Sequence, residues 1–224
     1  MMELIEYPDT EMMMMRLADL LASQIKQALL TNDRASLAVP GGTTPGPIFD
    51  NLCSIDLDWD RVDVMLTDER WVPESSDRSN TRLLRSRLLV DRAAAARLIP
   101  LYADAATPEE KLDDLSAGLD ACLPLSVVLL GMGADMHTAS IFPGADRLDH
   151  ALNGDDLLVA MRAPGAPEPR ITLSARVLNG AFNRHIVIIG AEKRAALDQA
   201  QGLSAEEAPV SAVLKDCTVH WAEA

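Results

Sequence analysis

Runs of apolar residues alternate with amphipathic stretches from one end of the sequence to the other. Met13, Leu17, Leu20, Leu21, Ile25 and Leu29 recur at helical spacing behind Asp9 and Thr10, either of which can cap a helix running to about Leu30. Ala35 to Val39 reads as a short buried strand, and VPGGTTP follows at once. Pro45 then stands at a first helical turn, with Ile48, Phe49 and Leu52 on one side of a helix ending near Cys53. Arg61 to Leu66 gives the next strand, which runs into Thr67, Asp68, Glu69 and Arg70 and a polar loop to Ser79. Ser79 or Asn80 opens a helix marked by Leu83, Leu84, Leu88 and Leu89. A weak strand near Leu98 to Leu101 and an acidic helix from about Thr107 to Cys122 precede the run Leu125 to Leu130.

That run reads as a strand covered on both faces, and it opens directly into GMGADMHTASIFPG, residues 131 to 144. Strands at Leu157 to Met161 and His185 to Ile189 follow, with a proline and glycine turn region before Arg170 to Leu173 between them. A helix from Ala191 to about Gln201, a helical turn near Val210 to Leu214 and a strand from Thr218 to Trp221 close the chain. Strands alternating with helices predict one α/β domain over residues 1–224, with a Rossmann-like, doubly wound, mostly parallel sheet and helices on both faces.

Composition narrows the function. The 224 residues carry 34 acids and 20 bases, a formal charge of −14, which argues against nucleic acid and anionic membranes as partners because phosphate backbones need a basic face. One small phosphorylated substrate remains compatible, since a few bases and backbone amides can hold a single phosphate. Three widely spaced cysteines, Cys53, Cys122 and Cys217, suggest neither a disulfide framework nor a zinc site. The acidic beginning MMELIEYPDTE is unlike a signal peptide, and no apolar stretch reaches membrane-spanning length, so a cytoplasmic protein is expected.

Three strand ends carry polar groups that can form one pocket. In GGTTP, Gly41 and Gly42 expose backbone N–H groups, a helix points its amino end at the same place, and Thr43 and Thr44 add hydroxyls: a phosphate cradle, or else an ordinary strand-to-helix turn. It is neither G-x-G-x-x-G nor a P-loop, which disfavours dinucleotides and nucleoside triphosphates. In TDER, Asp68 and Arg70 can face a sugar or pair with one another. In GADMHTAS, Asp135 and His137 form an acid and imidazole pair suited to general-base chemistry, the carboxylate fixing the tautomer. Arg170 and Lys193 each follow a structural break and are the further phosphate contacts, although either can be a plain surface base. His150 and His220 read as superficial or structural, and His185 starts a buried strand. Ser140 as a nucleophile competes with His137, but no G-x-S-x-G elbow surrounds it, and no set of three metal ligands is spaced for a catalytic metal.

With VPGGTTP, TDERWVP followed by SNTRLL, GMGADMHTASIFPG, RITLS and the step from Gly190 to Lys193 in this order, the chain resembles the 6-phosphogluconolactonases, within the wider group that includes glucosamine-6-phosphate isomerase/deaminase. The resemblance implies a Rossmann-like fold, no cofactor, and hydrolysis of 6-phospho-D-glucono-1,5-lactone, with the catalytic histidine and its aspartate at His137 and Asp135. A monomer or weak homodimer is expected. The deaminases carry a glutamate five residues after the histidine, where this chain has Phe142, which cannot relay a proton. A sugar-phosphate isomerase and a non-catalytic sugar-phosphate sensor stand as alternatives. The chain departs from the lactonase pattern at Met136, where glycine is usual, and at Pro40, where serine or alanine is common. A glycine-only conformation at position 136 would strain a methionine or shift the loop that carries His137.

Overall fold

The computed structural model describes residues 2–224. In chain order its strands are β1 (Glu3–Glu6), β2 (Ala35–Val39), β3 (Val62–Leu66), β4 (Asp68–Arg70), β5 (Arg97–Leu98), β6 (Val127–Gly131), β7 (Leu158–Met161), β8 (Arg170–Leu173), β9 (Asn183–Ile189) and β10 (Thr218–Ala222). The α-helices are α1 (Thr10–Leu29), α2 (Gly46–Leu52), α3 (Asn80–Arg87), α4 (Leu112–Asp120), α5 (Leu148–Asn153), α6 (Ala175–Asn179) and α7 (Ala191–Ala200). Seven strands form one sheet in the order β1-β10-β9-β6-β2-β3-β5, every pairing parallel, which is the doubly wound α/β arrangement that the alternating elements predict.

The physical cause is visible in the strands themselves. β2 and β3 are buried at every residue, as strands covered on both faces must be. Helix α1 is capped by Asp9, whose carboxylate accepts from the Met12 N–H at 2.7 Å, and it buries Met13, Leu17, Leu21, Ile25 and Leu29 against the sheet. Met12 and Met15 stay on its exposed face. One cluster of buried side chains runs from Met13 to Ala222. The three cysteines are buried and unbridged. Among the described residues no helix is long and apolar enough to cross a membrane.

Three features escape the hydrophobic pattern. Residues 3–6 form edge strand β1, paired only with β10. The polar segment Asp68–Arg70 and the residues after the proline turn, Arg170–Leu173, are strands, and with β7 they make a second, antiparallel sheet in the order β4-β8-β7. The acidic helix is split into a 3₁₀ turn, Pro108–Lys111, and α4.

The doubly wound sheet sets the location of the site. From β2 the chain proceeds to β3 on one side, whereas β6 lies against β2 on the other, so the strand order reverses between β2 and β6. At such a point the loops leaving adjacent carboxyl ends diverge and leave a crevice. GGTTP leaves β2 and GMGADMHTAS leaves β6, so both border it.

Behind the sheet lies a buried polar chain. The Tyr7 hydroxyl meets His220 Nδ1 at 2.9 Å, His220 Nε2 meets His185 Nδ1 at 3.0 Å, and His185 Nε2 meets Gln24 Oε1 at 2.8 Å. With Gln24 accepting, both rings are neutral and donate through Nε2–H, and Tyr7 donates into the chain. His185 and His220 sit on neighbouring strands and are 3% and 0% exposed. Burial pushes the imidazole of His185 down to about 4 and that of His220 to about 3, each further depressed value reflecting the cost of a charge there, with His185 adding to it for His220. The unfolded chain therefore takes up these protons first as pH falls. Stability should be complete above pH ~6.5 and decline by about 3 kcal/mol between pH 7 and 5, seen as a falling urea midpoint; replacing both histidines by glutamine should flatten that decline.

Candidate functional site

A cleft of about 270 Å³ opens at the switch point, and Gly41, Gly42, Thr43, Thr44, Asp68, Arg70, His137, Arg170 and Lys193 all line it. Asp135 stands behind His137 instead of lining the cleft. The three polar strand ends therefore meet, and the antiparallel β4 and β8 bring the arginines to them.

The cradle depends on close approach at its glycines. A Cβ on Gly41 would fall 2.0 Å from Asn80 Oδ1, and Gly42 adopts φ +85, a left-handed conformation that side chains resist. The GGTTP turn then enters α2 with Pro47 in its first turn, leaving N–H groups and the hydroxyls of Thr43 and Thr44 at the cleft.

On the opposite wall, β4 and β8 pair in a register that sets Arg70 directly across from Arg170 and Asp68 across from Thr172. Like charges facing one another on a ladder repel. Among the described residues no carboxylate lies within ion-pair distance of either: the Asp68–Arg70 pair that sequence allows is not formed. Arg70 instead donates through Nη1 to the Arg78 carbonyl at 2.8 Å, while Asp68 accepts from the hydroxyls of Ser140 at 2.5 Å and Thr67 at 3.2 Å. The Nε atoms of Arg70 and Arg170 are buried with no hydrogen-bond partner among the described residues. Burial lowers the Arg170 guanidinium from its ordinary value despite the nearby Asp68 charge. A buried guanidinium at Arg170 and a half-buried one at Arg70, both lining the cleft without a carboxylate partner among the described residues, describe a receptor for an anion.

At the third loop, His137 Nδ1 lies 2.5 Å from Asp135 Oδ1, and the same oxygen accepts the His137 backbone N–H at 3.2 Å. The bond to His137 holds the Asp135 carboxyl below its ordinary range, against partial burial. An Nδ1–H donated to a carboxylate leaves Nε2 with its lone pair free on a ring that borders the cleft. The contact is possible only because residue 133 is glycine, where a Cβ would lie 2.3 Å from the imidazole and 2.4 Å from Asp135 Oδ1. The loop is closed by the Gly133 N–H on the His137 carbonyl at 3.0 Å and by Thr138 Oγ1 on the Gly131 carbonyl at 2.9 Å. Met136 sits at φ +65, the conformation that glycine prefers, and the strain expected there is real. It does not displace His137. The Met136 N–H bonds Gly133 at 3.0 Å and its carbonyl accepts from the Val210 N–H at 3.0 Å, so the turn is held from both sides. Ser140 is fully buried, commits its hydroxyl to Asp68 and does not line the cleft, which removes it as a nucleophile.

Two contributing residues lie outside the sequence-based set. Asn80 borders the cleft, presses on Gly41 and donates Nδ2 to the Asp68 carbonyl at 3.1 Å. Glu69, fully buried, collects five donors: the N–H groups of Arg70, Asn80 and Thr81 at 2.7, 2.8 and 2.7 Å and the hydroxyls of Ser79 and Thr81 at 3.3 and 2.7 Å. Burial pushes its carboxyl up, against the pull of those donors. The motif SNTRLL signals the cap of α3 through Ser79, but nothing in it announces a second cap from the preceding strand.

The family described as Glucosamine-6-phosphate isomerases/6-phosphogluconolactonase matches residues 8–221. A protein of Rhizobium meliloti named 6-phosphogluconolactonase is 42% identical over 215 residues, spanning 92% of this chain and 92% of that protein. One of Pseudomonas aeruginosa with the same name is 41% identical and spans 92% of this chain and 88% of its own length. The crystal structure of a 6-phosphogluconolactonase from Shewanella baltica superposes with a TM-score of 0.96 at 34% identity, covering 99% of this chain and 98% of that one.

Glu69→Ala should lower stability by about 3 kcal/mol in urea unfolding, because the buried donors lose their acceptor. Gly133→Ala should remain folded and lose the strongly deshielded Nδ1–H signal of His137 in proton NMR, since the added methyl group occupies the space in which the imidazole meets Asp135.

Proposed function

The chain belongs to the glucosamine-6-phosphate isomerase/6-phosphogluconolactonase family, and from that premise we propose that it hydrolyses 6-phospho-D-glucono-1,5-lactone to 6-phospho-D-gluconate, a carboxylic ester hydrolase of the pentose phosphate pathway. The supporting observation is the convergence, in one cleft, of the His137–Asp135 pair with three cationic side chains and the GGTTP turn.

In this reading, His137 Nε2 takes a proton from a water molecule as the oxygen attacks the lactone carbonyl. Asp135 stabilises the imidazolium that forms and keeps Nδ1 protonated throughout. The tetrahedral oxyanion is met by backbone amides or a nearby base. Its collapse breaks the ring C–O bond, and the departing alkoxide receives the proton held on Nε2. The product acid ionises at neutral pH. A lactone is an activated ester, so this sequence needs neither a covalent nucleophile nor a cofactor.

Gly41, Gly42, Thr43, Thr44, Arg170 and Lys193 bind the phosphate, and Asp68 and Arg70 face the sugar or wall the pocket. Lys193 and Arg170 both line the cleft, and neither enters an ion pair among the described residues, so each has its charge available to an anion there. Phosphate held at one end places the carbonyl beside the activated water at the other, so binding energy remote from the chemistry contributes to rate. Phe142 supports hydrolysis over ring-opening isomerisation, because it supplies no group that relays a proton. The 224 residues act as one domain in the cytoplasm, as a monomer or weak homodimer, with the sugar-phosphate lactone as partner and no role for nucleic acid or membrane.

A coupled assay of 6-phosphogluconate formed from fresh lactone tests this. Wild type should exceed spontaneous hydrolysis, and His137→Ala should lose about 10²- to 10⁴-fold in kcat. No acceleration by wild type would overturn the activity, and full activity in His137→Ala would overturn the role of the histidine. Arg170→Ala should raise KM by about tenfold or more for the phosphorylated lactone and leave the unphosphorylated lactone nearly unchanged. Met136→Gly should stay within about twofold of wild type, since the turn already has the left-handed geometry that glycine would adopt.

A further inference from the structure

The ring of Phe142 touches both halves of the cleft. Its centroid lies 4.4 Å from that of the His137 imidazole, with the planes 33° apart. The guanidinium carbon of Arg170 lies over the same ring, 5.6 Å from its centroid. These two side chains are the ones assigned above to proton transfer and to the phosphate, and each is incompletely held by other groups. Asp135 fixes the imidazole through one nitrogen but leaves rotation about that bond to be restrained elsewhere. Arg170 has no ion pair among the described residues and an unpartnered Nε, so hydrogen bonding alone does not determine where its charge sits.

We propose that Phe142 is a positioning residue that sets the His137 ring against Asp135 and the Arg170 guanidinium at the phosphate end, so that one aromatic ring fixes the separation between proton acceptor and phosphate contact. This rests on the lactonase reading. The attraction of a guanidinium to a π face and the stacking of two rings are each modest, but both act on orientation, where small displacements cost rate. Position 142 can hold both because Ile141, beside it in the chain, is fully buried and its N–H bonds the Thr138 carbonyl at 2.9 Å, closing the turn that presents the ring.

The test compares Phe142→Leu, which keeps apolar bulk without a ring, with Phe142→Tyr, which keeps the ring, both after urea unfolding has shown a folded protein; Phe142→Met replaces the leucine variant if that one does not fold. With the phosphorylated lactone, Phe142→Leu should lower kcat about fivefold and raise KM about fivefold, while Phe142→Tyr stays within about twofold on both. With unphosphorylated lactone only the kcat effect should persist. In a His137→Ala background the leucine substitution should leave kcat unchanged. Equal kinetics for all three proteins would overturn the proposal, as would equal losses in the leucine and tyrosine variants or an undiminished kcat loss without His137. If wild type shows no lactonase activity, the functional reading fails by itself. The geometric assignment is then read from the imidazole proton resonances of His137, which lose their ring-current shift in Phe142→Leu and retain it in Phe142→Tyr, and it falls if the two variants give the same spectrum.

Discussion

Five donors converge on the fully buried carboxylate of Glu69, three of them backbone N–H groups from two different elements. A charge removed from water is tolerable only when the protein replaces nearly all the hydration it loses, and here the amino end of α3 contributes its unpaired amides to that replacement. The consequence is geometric. With Arg70 N–H on one oxygen and the first turn of α3 on both, strand β4 and helix α3 cannot move independently. Asn80 is thereby pressed against Gly41, and the GGTTP turn, the arginine strand and the helix share one fixed frame.

That frame supports an electrostatic arrangement opposite to the protein as a whole. The chain carries a formal charge of −14, yet the cleft collects Arg70, Arg170 and Lys193 with only Asp68 facing them. Most other arginines are paired with carboxylates, as Arg34 and Arg97 are with the buried Asp63. The cross-strand register of Arg70 and Arg170 places repulsion where a globular protein would normally avoid it. A basic cleft in an acidic exterior makes the potential favourable to an anion at the cleft and unfavourable over the rest of the surface.

The sequence showed the layout wherever one physical signal sufficed. Short, mostly apolar runs marked β2, β3, β6 and β9, and glycines next to β2 and β6 marked the cleft-forming turns, because burial on both faces and tight reversal each leave a compositional trace. Met136 was recognisable as a strained position only through the family resemblance, which puts glycine there, and the left-handed φ at this residue is the conformation that glycine prefers. What stayed hidden depends on partners far along the chain. β1 and β4 are too short and too charged to alternate, and β8 carries its pattern only once β7 is beside it. Glu69 looks like any acid of a polar loop until α3 is placed on it. His185 and His220 owe their neutral, linked state to adjacent strands 35 residues apart in sequence. Asp68 and Arg70, adjacent but for one residue, turned out to bond elsewhere, a choice decided by Ser140 across the fold.

Strand β10 lies between β9 and β1, and β1 has no other neighbour in the sheet. The bond between Tyr7 and His220 accordingly spans 213 residues of sequence. Closing so long a loop costs entropy that no local contact repays, and β1 gains a hydrogen-bonding edge only after β10 has docked on β9. The amino-terminal strand, synthesised first, acquires its only place in the sheet when the last strand of the chain is present.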